Sequence, residues 1–140
     1  MRRTIAALFI SLLASSTSGQ DGPAPDCGLY IYRAEIVRVI DGDTVVADID
    51  LGFDVWLRRE RLRLFGIDAP ERSTDAGRAA EEALRDKVEG LTLYICTVKA
   101  KRSDREATGS FGRYLAVIYR DGLSINDWLV ASGYAEPFER

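Results

Sequence analysis

Ile40-Asp41-Gly42-Asp43-Thr44, a hydrophobic hairpin, and then Arg61-Leu62-Arg63-Leu64-Phe65-Gly66-Ile67-Asp68-Ala69-Pro70-Glu71 place two carboxylate clusters and a run of arginines in one strand-rich stretch. Arg61, Arg63 and Phe65 alternate with Leu62 and Leu64, the period-2 pattern of a strand with one face buried. The acidic clusters therefore sit at strand ends and not on a helix face. Oxygen-only ligands from Asp43 and Asp68 favour calcium or magnesium over zinc, and nearby guanidinium groups can hold phosphate oxygens bidentately. Carboxylates, a hard cation and arginines together suit phosphodiester chemistry. Taken alone, Asp41, Gly42 and Asp43 are equally explained as turn formers, and Arg58 and Arg59 as a solvated hairpin face.

Outward from this stretch, the chain reads as alternating strands and two helices. Tyr30 to Ile40 is the first strand, Thr44 to Ile49 the second and Val55 to Ile67 a long third, which Pro70 keeps from continuing. Ser73 or Thr74 caps a helix through Val88, with Ala80, Ala83, Leu84 and Val88 at helical spacing and Gly90 closing it. Leu91 to Val98 is a fourth strand. A charged loop from Lys99 to Gly109 leads to a fifth, Phe111 to Tyr119, and a last helix runs from Ile125 to Ser132. Five strands with a helix between the third and fourth describe a mainly β (α+β) fold, a small closed barrel of the oligonucleotide-binding (OB) type.

The chain has 140 residues, 46% hydrophobic and 29% charged, which is ordinary for one folded domain with a real core. With 19 basic residues against 22 acidic, bulk charge does not attract nucleic acid, so any such site is a local patch. There is no histidine. That removes imidazole bases, Ser-His and Cys-His nucleophile pairs and histidine zinc sites, and leaves carboxylates, arginines and a metal to carry any catalysis.

Arg2 and Arg3 precede an apolar run from Ile5 to Ala14 and a small-residue stretch, Ser15 to Gly19, the layout of a secretory signal peptide. The run is far shorter than the roughly 20 apolar residues that span a bilayer. Residues 1–19 are thus expected to be removed, 20–28 to form a polar connector and 29–140 to form the domain, exported to the periplasm or the medium as a monomer. Loss of Arg2 and Arg3, with no acid before Asp21, takes the net charge from −3 to −5. Cys27 and Cys96 have no metal-ligand spacing. In an exported chain they either pair or remain as two thiols.

Three motifs in order, Ile40-Asp41-Gly42-Asp43-Thr44, Arg63 with Gly66-Ile67-Asp68-Ala69-Pro70-Glu71, and Gly112-Arg113-Tyr114-Leu115-Ala116, resemble those of the staphylococcal-nuclease-like (thermonuclease) domains over about Glu35 to Ala135. The resemblance implies a five-stranded OB-fold Greek-key barrel, here shortened at the C-terminus because the chain stops at Arg140 before the third helix of longer members. It implies that Asp43, Asp68 and the main-chain carbonyl of Ala69 bind Ca2+. It further implies that Arg63 and Arg113 hold the scissile phosphate and that Glu71 is the general base for an attacking water. The implied activity is calcium-dependent cleavage of DNA and RNA with little sequence preference, giving 3′-phosphate ends.

Read without the family, Arg113 is either a phosphate ligand or half of a structural ion pair, because a bare charge in an apolar strand is costly. Asp68 either binds the metal or shapes the turn before Pro70, and Glu71 either takes a proton or is a solvated loop carboxylate. Asn126, at the start of the last helix, reads as a cap or a buried hydrogen-bonding residue. Ser110 and Phe111 stand where family members carry a lysine and a tyrosine on the nucleotide, so those contacts are not expected here. In an OB barrel the first and fourth strands are neighbours, which brings Cys27 near Cys96 and predicts a disulfide. The rival from another class is a non-catalytic OB module that binds single-stranded nucleic acid.

Overall fold

The computed structural model describes residues 23–28, 30–98, 108 and 113–139. The expected signal peptide, the first residues of the connector and the Ser110-Phe111-Gly112 positions lie outside the described residues. In chain order the elements are β1 (Ile31–Asp41), β2 (Thr44–Asp50), β3 (Trp56–Leu64), β4 (Ile67–Asp68), α1 (Asp75–Val88), β5 (Thr92–Thr97), β6 (Tyr114–Arg120), β7 (Leu123–Ser124), α2 (Ile125–Ala131) and β8 (Glu136–Pro137).

Strands β3, β2, β1, β5 and β6 pair in that order, each antiparallel to the next, and a parallel pairing of β3 with β6 closes them into a barrel. This is the OB-type α+β architecture expected from the strand pattern. Alternation builds its interior: Ala34 and Ile36 from β1, Val45 and Ala47 from β2, Leu62 and Leu64 from β3, Ile95 from β5 and Ile118 from β6 are all buried. The residues between Leu62 and Leu64 or just before them face outward, so Arg61 is exposed and Arg63 half-buried. Helix α1 covers one end of the barrel, burying Ala80, Leu84 and Val88, with Leu84 and Val88 in the common core. Thr74 is its cap: the hydroxyl accepts from Gly77 N–H at 3.0 Å.

Two expectations change. The third strand, expected unbroken from Val55 to Ile67, ends at Leu64, and the chain turns at Gly66, whose φ of 76° suits a residue without a Cβ. Ile67 and Asp68 then form β4, which leaves the barrel and pairs with β8. The turn is held from outside: Phe65 N–H donates to Ala116 O at 2.9 Å, Phe138 N–H donates to Gly66 O at 2.9 Å, and the Asn126 amide donates to Phe65 O at 2.9 Å. The fifth strand, expected from Phe111, is described from Tyr114, and Arg113 stands just ahead of it.

Cys27 and Cys96 are joined in a disulfide with Cα atoms 6.3 Å apart. The pairing follows from the register, since Ile31 of β1 lies opposite Cys96 of β5. No helix among the described residues is long and apolar enough to cross a membrane.

Candidate active site

The site is assembled where the β1–β2 turn, the outer face of β3 and the segment from β4 to α1 meet. Asp41 is the turn former: its Oδ1 accepts from Asp43 N–H at 3.1 Å, an Asx-type contact that holds the chain in the reversal. Gly42 allows the reversal to lie against the neighbouring elements, because a Cβ there would come within 2.7 Å of both Ala69 Cβ and Ala80 Cβ. The close approach turns Asp43 inward, where it is only 3% exposed.

Buried carboxylates are expensive unless their oxygens are satisfied. Asp43 Oδ2 accepts from Ala69 N–H at 2.9 Å, and Oδ1 accepts from the Thr44 hydroxyl at 3.1 Å and from the Arg63 guanidinium. Burial pushes the Asp43 carboxyl above its ordinary value and the Asp41 charge adds to this, while the Ala69 amide, the Arg63 guanidinium and the Thr44 hydroxyl hold it down. The other arm of Arg63 pairs with Asp68 Oδ1 and reaches Ile67 O at 3.5 Å. One guanidinium therefore bridges Asp43 and Asp68, the first arriving from β2's leading turn and the second from β4.

Arg113 joins through Thr44, donating to its Oγ1 at 3.1 Å. Thr44 thus sits between the two arginine systems, accepting from Arg113 and donating to Asp43. Its hydroxyl is a positioning group that the sequence reading passed over; the signal was present, since Thr44 closes the first motif and is followed by Val45 at a core position.

Glu71 stands apart from this network. Its carbonyl accepts from Thr74 N–H at 2.9 Å and from the Thr74 hydroxyl at 2.7 Å, which anchors its backbone to the start of α1. Its carboxylate is exposed and has no hydrogen-bond or ion-pair partner among the described residues. Asp68 is likewise open to solvent, with 57% of its side chain exposed. Asn126 is fully inside, donating to Phe65 O at 2.9 Å and Ala116 O at 3.2 Å and accepting from Ile118 N–H at 3.1 Å. It is a structural residue that ties α2 to β6 and to the β3–β4 turn.

The donor chemistry fits a hard cation. Asp43 and Asp68 converge on a single point of positive charge, all their donor atoms are oxygen, and the Asp43 carboxylate is one whose charged form burial disfavours and a cation restores. Among the described residues no group of three His, Cys, Asp or Glu side chains gathers into a closed metal cage. Two carboxylates, Asp43 and Asp68, are what remains.

Arg58 and Arg59 are not part of this centre. Arg58 pairs with Asp48 at 2.8 Å and stacks over the Trp56 ring at 4.4 Å, while Arg59 N–H donates to Asp48 at 2.7 Å. The two bonds, that from Arg58 first, hold the Asp48 carboxyl below its ordinary value.

Curated relatives include an uncharacterized endonuclease of Escherichia coli, 35% identical over 111 residues that make up 77% of this chain and 62% of the relative. A micrococcal nuclease of Shigella flexneri is 37% identical over 91 residues, 63% of this chain and 42% of the relative. The succinoglycan biosynthesis protein ExoI of Rhizobium meliloti is 28% identical over 137 residues, 95% of this chain and 62% of the relative. The chain thus spans 42% to 62% of the length of these relatives. The sequence model of the family described as "Staphylococcal nuclease homologue" matches residues 61–140. That span contains Arg63, Asp68, Ala69, Glu71 and Arg113, and the turn bearing Asp43 lies just ahead of it. With more than half of its length so matched, the chain belongs to the staphylococcal nuclease homologue family.

Proposed function

We propose that the chain is an exported, calcium-dependent nuclease that hydrolyses phosphodiester bonds in DNA and RNA with little sequence preference. The observation that carries this reading is one connected network, in which Arg63 bridges Asp43 and Asp68 and Thr44 links Asp43 to Arg113, together with an exposed Glu71 carboxylate that has no partner among the described residues. Names of relatives point the same way, as an endonuclease and a micrococcal nuclease are among them.

In this mechanism Arg63 and Arg113 offer guanidinium N–H groups to the non-bridging oxygens of the scissile phosphate, where they offset charge that grows as phosphorus becomes five-coordinate. Glu71 takes the proton of the attacking water. The water oxygen bonds to phosphorus, the P–O5′ bond breaks, and the departing O5′ takes a proton from solvent, leaving a 3′-phosphate and a 5′-hydroxyl. Thr44 keeps Arg113 and Asp43 in fixed relation, so the charges meet the phosphate without reorganising. Asp43, Asp68 and the Ala69 carbonyl would hold calcium, which when bound supplies further positive charge at the phosphate. No covalent intermediate is required. Export follows from the Arg2-Arg3 and Ile5–Ala14 pattern and accords with the disulfide.

The test is incubation of the purified protein with single-stranded and duplex DNA and with RNA, in calcium and then in chelator. Cleavage in calcium that stops on chelation is expected. Cleavage untouched by chelator would overturn the roles of Asp43 and Asp68, and tight binding of single strands with no cutting in either buffer would return the chain to the class of binding modules.

A further inference from the structure

Ion pairing of the arginines is segregated. Arg58, Arg63, Arg72, Arg78, Arg85 and Arg120 each have a carboxylate partner within the salt-bridge range. Arg33, Arg38, Arg59 and Arg61 have no such partner among the described residues, and all four lie on β1 or β3. The sheet register then brings two of them beside the catalytic groups. Arg38 of β1 lies opposite Val46 of β2, and Val46 lies opposite Arg61 of β3, so both arginines flank one buried valine on the outer face. Both are exposed.

Arg61 and Arg63 are two residues apart on one strand, about 6.6–6.8 Å, and project from the same face. Across the parallel pairing, Leu62 lies opposite Tyr114, so Arg61 and Arg113 each stand one residue ahead of the first paired positions. The guanidinium-bearing positions 113, 61 and 38 therefore form a row that starts at one phosphate-binding arginine and passes beside the other. Glu35, Asp41 and Glu60, the acids nearest in sequence, form no ion pair with Arg38 or Arg61 among the described residues, Asp48 is already engaged by Arg58 and Arg59, and Glu89 is engaged by Val39 N–H and Arg85. In a chain of net charge −3, Arg38 and Arg61 are two exposed cations with no carboxylate partner among the described residues. Like charges so placed repel, and a polyanion laid along them removes the repulsion.

We propose that Arg38 and Arg61 form a second phosphate-binding subsite, which carries a nucleic-acid strand from the catalytic arginines across the outer face of β3, β2 and β1. The inference rests on the nuclease reading for the identity of the polyanion. It adds a site for a phosphate that is not cut, and it gives the enzyme a preference for strands longer than the minimal cleavable unit.

Binding of a fluorescent 12-nucleotide single-stranded DNA, titrated against salt in chelator so that nothing is cut, tests it with the full-length exported protein. Each phosphate contact on a single strand contributes about 0.7 to the slope of log K against log salt. Arg38→Gln/Arg61→Gln should therefore lower the slope by about 1.4, while Arg38→Lys/Arg61→Lys keeps it close to the parent. An unchanged slope in a glutamine variant that melts at the parental temperature overturns the subsite, as does binding of anionic phospholipid vesicles in place of the oligonucleotide. The expected slope change in the glutamine variant, with a parent that never cuts DNA in calcium, supports the subsite and refutes the nuclease reading. A parent that cuts, with variants of unchanged slope, refutes the subsite alone.

Discussion

Glu71 differs from Asp43 and Asp68 because its carboxylate has no partner among the described residues. Thr74 holds the carbonyl through both its N–H and its hydroxyl, so the side chain leaves a rigid point and is free to meet a water. Glu71→Gln removes the ability to accept the proton and keeps size and polarity. Turnover should fall by about 10²–10⁴, the usual worth of a positioned general base, with calcium-supported oligonucleotide binding retained. Measuring kcat and oligonucleotide Kd together checks this; a variant that cuts at the parental rate would leave Glu71 a mere loop carboxylate. Asp43 acts at the same scale by a different route, since its burial makes its charge dependent on Ala69, Thr44 and Arg63 together.

Helix α1 matters to the site through its first turn. Gly77 sits there with no room beside it: an added Cβ would lie 2.0 Å from Glu71 O and 2.8 Å from Pro70 O. Propensity alone says that Gly→Ala in a helix gains about 1 kcal/mol. Packing says the opposite, because forcing a methyl against backbone costs about 1–3 kcal/mol, and the atom that must yield is the carbonyl that anchors Glu71. Gly77→Ala should therefore lower the melting temperature and reduce turnover at once, as thermal denaturation and kcat on one sample will show. A raised melting temperature would mean that the turn relaxes without strain. The short β4–β8 pairing is the other element that serves the site, since it takes Asp68 off the barrel and toward Arg63.

At the scale of the whole molecule, the barrel is closed by hydrogen bonds and then stapled. The Cys27–Cys96 bond joins residues 69 apart in sequence and ties the segment ahead of β1 to β5. In the chain-entropy model a loop of this length stabilises by about 4 kcal/mol, less any native strain. Reduction, or Cys27→Ser/Cys96→Ser, should lower the urea midpoint by a corresponding amount. A midpoint unchanged on reduction would show that the staple constrains little in the unfolded chain. Charge is also arranged at this scale: among the described residues the arginines without a carboxylate partner, Arg33, Arg38, Arg59 and Arg61, all lie on β1 and β3, so net charge hides a local field.

Local pattern was enough for the barrel strands and for α1 with its Thr74 cap, because strand alternation and capping are written in neighbouring residues; Asp43, Arg63, Asp68, Glu71 and Arg113 were singled out by short motifs and the family they resemble. The β4 and β8 strands were not legible, since a two-residue strand has no periodicity and depends on a partner far along the chain. Nor could spacing reveal that Arg113 bonds Thr44, 69 residues away, or that Ala69 N–H satisfies Asp43 across 26 residues. The sequence determined which groups exist and which strand faces carry them. Tertiary structure alone decided which groups touch, because those contacts arise only when the barrel closes and brings distant turns to one end.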